Sequence, residues 1–144
     1  MVARGQSAGG VALPPDRLLV IDESLDKRLA SQLEQRGRKA KSTDWLGLVG
    51  FKDEPLLRAL AQLPENDALI LVTGDDAMPG EHSGLLAALG LTVATVDGRR
   101  LPDWGPEEWK KEIVHRWAHV INEQVAGTMR RYGLTRHGLW HPRR

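Results

Sequence analysis

Three apolar runs in this chain stop abruptly at acids. L-L-V-I ends at Asp22-Glu23, A-L-I-L-V-T-G at Asp75-Asp76, and T-V-A-T-V at Asp97. In a parallel sheet the ends of neighbouring strands lie about 5 Å apart. Asp22, Asp75 and Asp97 would therefore converge, and Asp53, at a predicted helix start, would face the same cleft. Carboxylates that close raise one another's pKa. A hard divalent cation holds such a group ionised, and magnesium or manganese takes oxygen ligands. The ion activates water and neutralises charge on a phosphodiester under attack. The Thr73 hydroxyl, just before Asp75, would hold a carboxylate or a metal-bound water in place. A plainer account stands beside this one. Aspartate at a strand end also caps helices and closes Asx-turns, and Asp22 before Ser24 suits that role. Capping explains any one of these acids as well as metal binding does. It explains their repetition less well.

The elements that must position these acids follow from the apolar pattern. The run over 68–76 is aliphatic and β-branched, as in a strand buried on both faces of a covered parallel sheet. Strands are also predicted over 17–21 and 91–96, with a short one over 39–42. Ser24 is the expected N-cap of a helix with Leu25, Leu29 and Leu33 on one stripe, closed by Gly37. Residues 45–51 carry Gly47 and Gly50 and read as a loop or short helix. Asp53-Glu54-Pro55 opens a helix with Asp53 as cap, and Pro64 stops it. Met78-Pro79-Gly80 reads as a turn, followed by a helix over 81–89 closed by Gly90. A long helix starts at Pro106 and closes at Arg130, Arg131 and Gly133, with Trp109, Ile113, Trp117, Val120, Ile121, Val125 and Met129 as its apolar stripe. Strands alternating with helices predict a doubly wound parallel α/β sheet with right-handed crossovers. Ligands of such sheets bind at the carboxyl ends of the strands. Residues 1–15 read as a mobile tail, 16–133 as one domain, and 134–144 as a basic tail.

Bulk composition narrows the function. The chain has 144 residues, 41% hydrophobic, which suits one core. It has no cysteine, which excludes disulfides and thiolate metal sites. A formal charge of +1 makes nucleic-acid binding a matter of a local patch. No run approaches the roughly 20 apolar residues of a membrane span. The amino terminus lacks the apolar segment of a secretory signal. The expectation is a cytoplasmic protein without a membrane partner.

Taken in order, V-I-D-E-S-L-D-K-R-L-A, D-E-P-L-L-R-A-L-A, L-I-L-V-T-G-D-D and V-D-G-R resemble the PIN-like nuclease families, including ribonuclease toxins of the VapC type. The resemblance runs over 18–99. It implies a PIN-like parallel α/β fold and metal-dependent hydrolysis of RNA, with Mg2+ or Mn2+ held by Asp22, Asp53, Asp75 and Asp97. Glu23 and Asp76 are neighbours able to substitute or assist. In this reading the metal sits on Asp22, Asp75 and Asp97, and Asp53 is a further ligand or orients the water. A toxin of this kind implies a cognate antitoxin. The apolar long helix makes a homodimer a further expectation. The sequence departs from the family where Asp53 replaces a frequent Glu and where Asp76 directly follows Asp75. Two alternatives stand: a PIN-like binding module without catalysis, and a phospho-accepting receiver domain with Asp53 as acceptor.

Lys52, Arg99 and Arg100 flank the acids and would contact phosphates, although solvated charge explains each as well. Trp140, in a basic context, would stack on an RNA base or dock onto protein. His115 and His119 share one helix face, but without the Glu of H-E-x-x-H or a third ligand they read as ordinary helix residues. His82 follows Asp76 closely enough to meet substrate, with a helix-surface role favoured.

Overall fold

The computed structural model describes residues 16–75, 77–96, 105–135 and 138–140. Five strands, β1 (Leu18–Ile21), β2 (Ala40–Ser42), β3 (Leu69–Thr73), β4 (Thr92–Val96) and β5 (Met129–Thr135), pair in parallel. A sixth, β6 (Gly138–Trp140), pairs antiparallel with β5. The order is β2-β1-β3-β4-β5-β6. Every residue of β1, β3 and β4 is buried. That burial explains why these strands are continuous apolar runs rather than alternating ones.

Helices cover both faces. Alternate strand residues Leu19, Ile21, Ile70, Val72, Ala94 and Val96 pack against α1 (Arg28–Gln35) and α5 (Pro106–Asn122). Leu18, Val20, Leu69, Leu71 and Val93 face the other way, onto α2 (Asp53–Ala61), α3 (Met78–Glu81) and α4 (Ser83–Leu89). The chain winds outward from β1 toward β2, then returns past β1 to build β3, β4 and β5. The order therefore reverses between β1 and β3, and this crevice is where doubly wound sheets bind ligands. No helix among the described residues is long and apolar enough to cross a membrane.

Helix ends follow local chemistry. Gly37 (φ 87°) and Gly90 (φ 67°) take left-handed backbone just past α1 and α4, as their positions in the sequence predict. Arg38 N–H then reaches Leu33 O, and Leu91 N–H reaches Leu86 O, the Schellman closure. Other ends differ from expectation. The first helix begins at Arg28, not Ser24, because Ser24 is engaged in a turn with Asp22. Asp53 is the first helical residue of α2, and Lys52 holds the cap position. Met78-Pro79-Gly80 is helical, with proline in the first turn where its missing N–H costs nothing.

The largest difference lies after α5. The helix ends at Asn122, and its apolar stripe does not extend to Val125, which is 70% exposed, or to Met129, which begins β5. Gly127 (φ 79°) turns the chain between them. Arg130 and Arg131 resemble the basic last turn of a helix, but they are exposed residues of a strand whose Tyr132 is buried. β5 runs past 133, and β6 pairs Trp140 with Gly133, so part of the expected basic tail is sheet. The long helix is thus not C-terminal. Residues 1–15 lie outside the description.

Burial pushes the Tyr132 phenol up to about 12. The unfolded chain loses this proton near pH 10 while the fold retains it, so stability falls as pH rises from about 10 toward 12. Urea unfolding at pH 9 and pH 11 should show that loss, and Tyr132→Phe should lessen it.

Candidate functional site

Asp22 occupies the β1/β3 crevice. β1 pairs β3 in the register Ile21↔Val72, which brings Asp22 beside Thr73. The backbone continues the ladder by one bond, Asp22 N–H to Val72 O at 2.9 Å. One carboxylate oxygen, Oδ2, then accepts from Thr73 Oγ1 (3.0 Å), Ser24 Oγ (2.6 Å) and Ser24 N–H (3.3 Å). Donors gathered on one carboxylate oxygen fix its direction. Ser24 Oγ also accepts from Gly74 N–H at 2.9 Å, and Thr73 Oγ1 from Asp75 N–H at 3.1 Å. Asp22, Ser24, Thr73 and the 73–75 turn are one hydrogen-bonded unit. The role expected for Thr73, holding a carboxylate, is the contact observed; the carboxylate is that of Asp22.

The turn is tight. A Cβ on Gly74 would lie 3.1 Å from both Leu25 Cδ2 and Lys110 Nζ. Glycine therefore permits Lys110, from α5, to donate to Gly74 O at 3.2 Å. This places a cation at the crevice that spacing along the sequence gives no reason to expect. Next to the turn, the Arg28 guanidinium hydrogen-bonded to Asp26 holds its carboxyl down to about 2.

On the β2 side of Asp22 lies a cleft of about 270 Å³, bordered by Asp22, Glu23, Lys27, Thr43, Asp44 and Val49. Glu23 Oε1 accepts from Gly50 N–H at 2.8 Å and ties the 43–52 loop to the end of β1. Asp44 is a further strand-end acid, after β2. It is not legible in the sequence, because β2 is only three residues long.

Asp75 is exposed, and its Oδ1 accepts from Ala77 N–H at 3.1 Å, an Asx-turn leading into α3. Asp53 lies elsewhere on the same sheet edge, because α2 and α3 both start from loops after strand carboxyl ends. Its carboxylate is 3.3 Å from His82 Nε2. Asp53, Glu81 and His82 each offer a ligand atom within 4.8 Å of the others, and together they could hold a metal ion. Asp22, Asp53 and Asp75 form no such group with one another; among the described residues, this trio alone does. Glu81 was not legible as a site residue, since an acid ending a helical turn reads as a solubilising charge. Asp76, Asp97, Arg99 and Arg100 lie outside the described residues, so their relation to the crevice is not part of this geometry. Lys52 is exposed beside Asp53, and Trp140 lies in β6, not in a tail.

His115 and His119 join no group of three possible metal ligands among the described residues. His115 Nε2 lies 3.2 Å from Gln32 Oε1, and burial lowers its pKa, while His119 is exposed. A receiver domain would need a strand leading directly into Asp53. Residues 43–52 are turns and loop instead, so that alternative loses its acceptor position.

No family model, curated protein or solved structure matches the chain.

Proposed function

We propose that the chain is a metal-dependent endoribonuclease of the PIN-like type, working as the toxin of a toxin–antitoxin pair. The observation that carries this reading is the gathering of Asp22, Glu23, Asp44, Asp53 and Asp75 along the carboxyl edge of one parallel sheet, at and beside its switch point. Acids so placed would repel a phosphodiester unless a cation accompanied them.

Asp53, Glu81 and His82 would hold a divalent ion, and Asp22 would present a carboxylate oxygen at the β1/β3 crevice. A bound divalent cation supplies Lewis acidity and a more acidic water. The mixed carboxylate and imidazole set suits manganese better than magnesium, which prefers oxygen ligands and retains water. Asp22, oriented by Ser24 and Thr73, would orient and take up a proton from the attacking water. Lys27, Lys52 and Lys110 would bind backbone phosphates and offset the acids. An antitoxin would act by covering this edge.

Calorimetric titration with Mn2+ is expected to show binding that is lost in the double variant Asp53→Asn/His82→Ala. Equal heats from both proteins would remove the trio as a metal site. End-labelled RNA should be cut in Mn2+ or Mg2+ and left intact in excess chelator. Intact RNA under all these conditions would leave the non-catalytic binding module as the better reading.

A further inference from the structure

We propose that Trp45 and Phe51 form a stacking platform for an unpaired base of the RNA whose backbone enters the Asp22 cleft. The proposal rests on the ribonuclease reading for its choice of substrate and adds how single-stranded RNA is selected.

The 43–52 loop is built with an inner and an outer side. Leu46 and Leu48 pack onto the α2 face of the core. Trp45, Val49 and Phe51 point outward, 67%, 53% and 43% exposed. This exposure does not come from a loose loop. Trp45 N–H donates to Ser42 Oγ at 3.0 Å, Leu48 N–H to Thr43 O at 2.8 Å, and Gly50 N–H to Glu23 Oε1 at 2.8 Å. Large aromatics held in water by a pinned backbone are ready to contact a ligand without an ordering cost.

The surroundings favour a nucleobase over an apolar protein surface. Lys41 Nζ lies 4.4 Å from the Trp45 ring centroid and forms an ion pair with Glu34 at 2.9 Å. A cation, paired with the Glu34 carboxylate, therefore sits over the Trp45 ring. Lys52 follows Phe51, and Lys27 borders the cleft that Val49 walls. Aromatic rings with interleaved lysines are the usual means of holding single strands, since every base has a stacking face. Thr43, which borders the cleft, is 1% exposed, and its buried hydroxyl has no hydrogen bond among the described residues.

Fluorescence anisotropy with a labelled 12-nucleotide RNA, single-stranded or annealed to its complement, tests this in excess chelator, so that cleavage plays no part. Wild-type protein should prefer the single strand. Trp45→Ala should weaken single-strand binding roughly ten-fold, as loss of one stacked base does, and leave duplex binding unchanged. Trp45→Phe should restore most of the loss. A Trp45→Ala protein that melts normally and binds the single strand as wild type does would overturn the platform. So would wild-type protein that prefers duplex or binds neither RNA, which would assign the exposed loop to a protein partner. RNA that binds as described yet is never cut with metal would sink the nuclease reading and leave the platform standing. RNA cut by Trp45→Ala with unchanged KM would do the reverse.

Discussion

Asp22→Asn is expected to lower RNA cleavage by roughly 100-fold or more while leaving the fold intact. The side chain is isosteric and retains one oxygen able to accept from Thr73 Oγ1 and Ser24 Oγ, so the turn it organises survives. The change in folding stability should be about 1 kcal/mol, the difference between a charged and a neutral acceptor. What disappears is the negative charge, which is needed to hold a cation or take a proton from water. Thr73→Val is the companion. It removes the hydroxyl that aims Asp22 and also bridges to Asp75 N–H, and it should cost roughly ten-fold in kcat with KM for RNA unchanged. Thr73→Ser should restore the rate. Single-turnover cleavage of labelled RNA, with thermal unfolding of the same preparations, separates the two effects. Wild-type cleavage by Asp22→Asn would remove the β1/β3 crevice as the reaction centre. Capping alone predicts unchanged chemistry for Asp22→Asn, since asparagine caps as well as aspartate does.

The parts of this fold legible in the sequence are those whose residues meet one demand only. β1, β3 and β4 are buried on both faces, so nothing but apolar and β-branched residues suits them. The acids that end them mark the point where the chain leaves the core. That makes Asp22 legible, whereas the partner of Thr73 is fixed only by the register that sets β1 beside β3. Elements meeting two demands were not legible. β5 must bury Tyr132 and still expose Arg130 and Arg131, a pattern that suits the basic end of a helix equally well. The site behaves the same way. Asp53 is legible from its helix-start position, but its neighbours are not: α2 and α3 share a face, which sets Asp53 against Glu81 and His82. Spacing in one dimension carries no record of that face. Lys110 reaches Gly74 for a similar reason, because α5 crosses from the opposite end of the chain onto the β1–α1 side.

Gln124→Met is expected to cost about 3 kcal/mol, the largest single loss of stability foreseen here. Gln124 is 5% exposed and links the turn after α5 to the two strands that flank it in space. Its Nε2 donates to Val93 O at 2.9 Å in β4 and to Thr128 O at 3.0 Å, just before β5. Its Oε1 accepts from Tyr132 OH at 2.7 Å, and Tyr132 is fully buried against Trp117, ring centroids 5.9 Å apart. Methionine fills the same volume but strands the Tyr132 hydroxyl away from water, at about 1–3 kcal/mol, and takes a donor from Val93 O and from Thr128 O, which keeps its bond from Val93 N–H. Urea unfolding should therefore show a lower midpoint with an unchanged slope. Tyr132→Phe alone should cost less, since it orphans only Gln124 Oε1. The double variant should be more stable than the sum of the two losses allows, because removing both partners leaves no orphan between them. A strictly additive cycle would mean that this bond contributes nothing. β5 would then be held by strand pairing and by the Trp117 indole, which donates to Gly133 O at 2.7 Å. A positive coupling shows that the Gln124–Tyr132 pair helps hold β5 to the turn after α5.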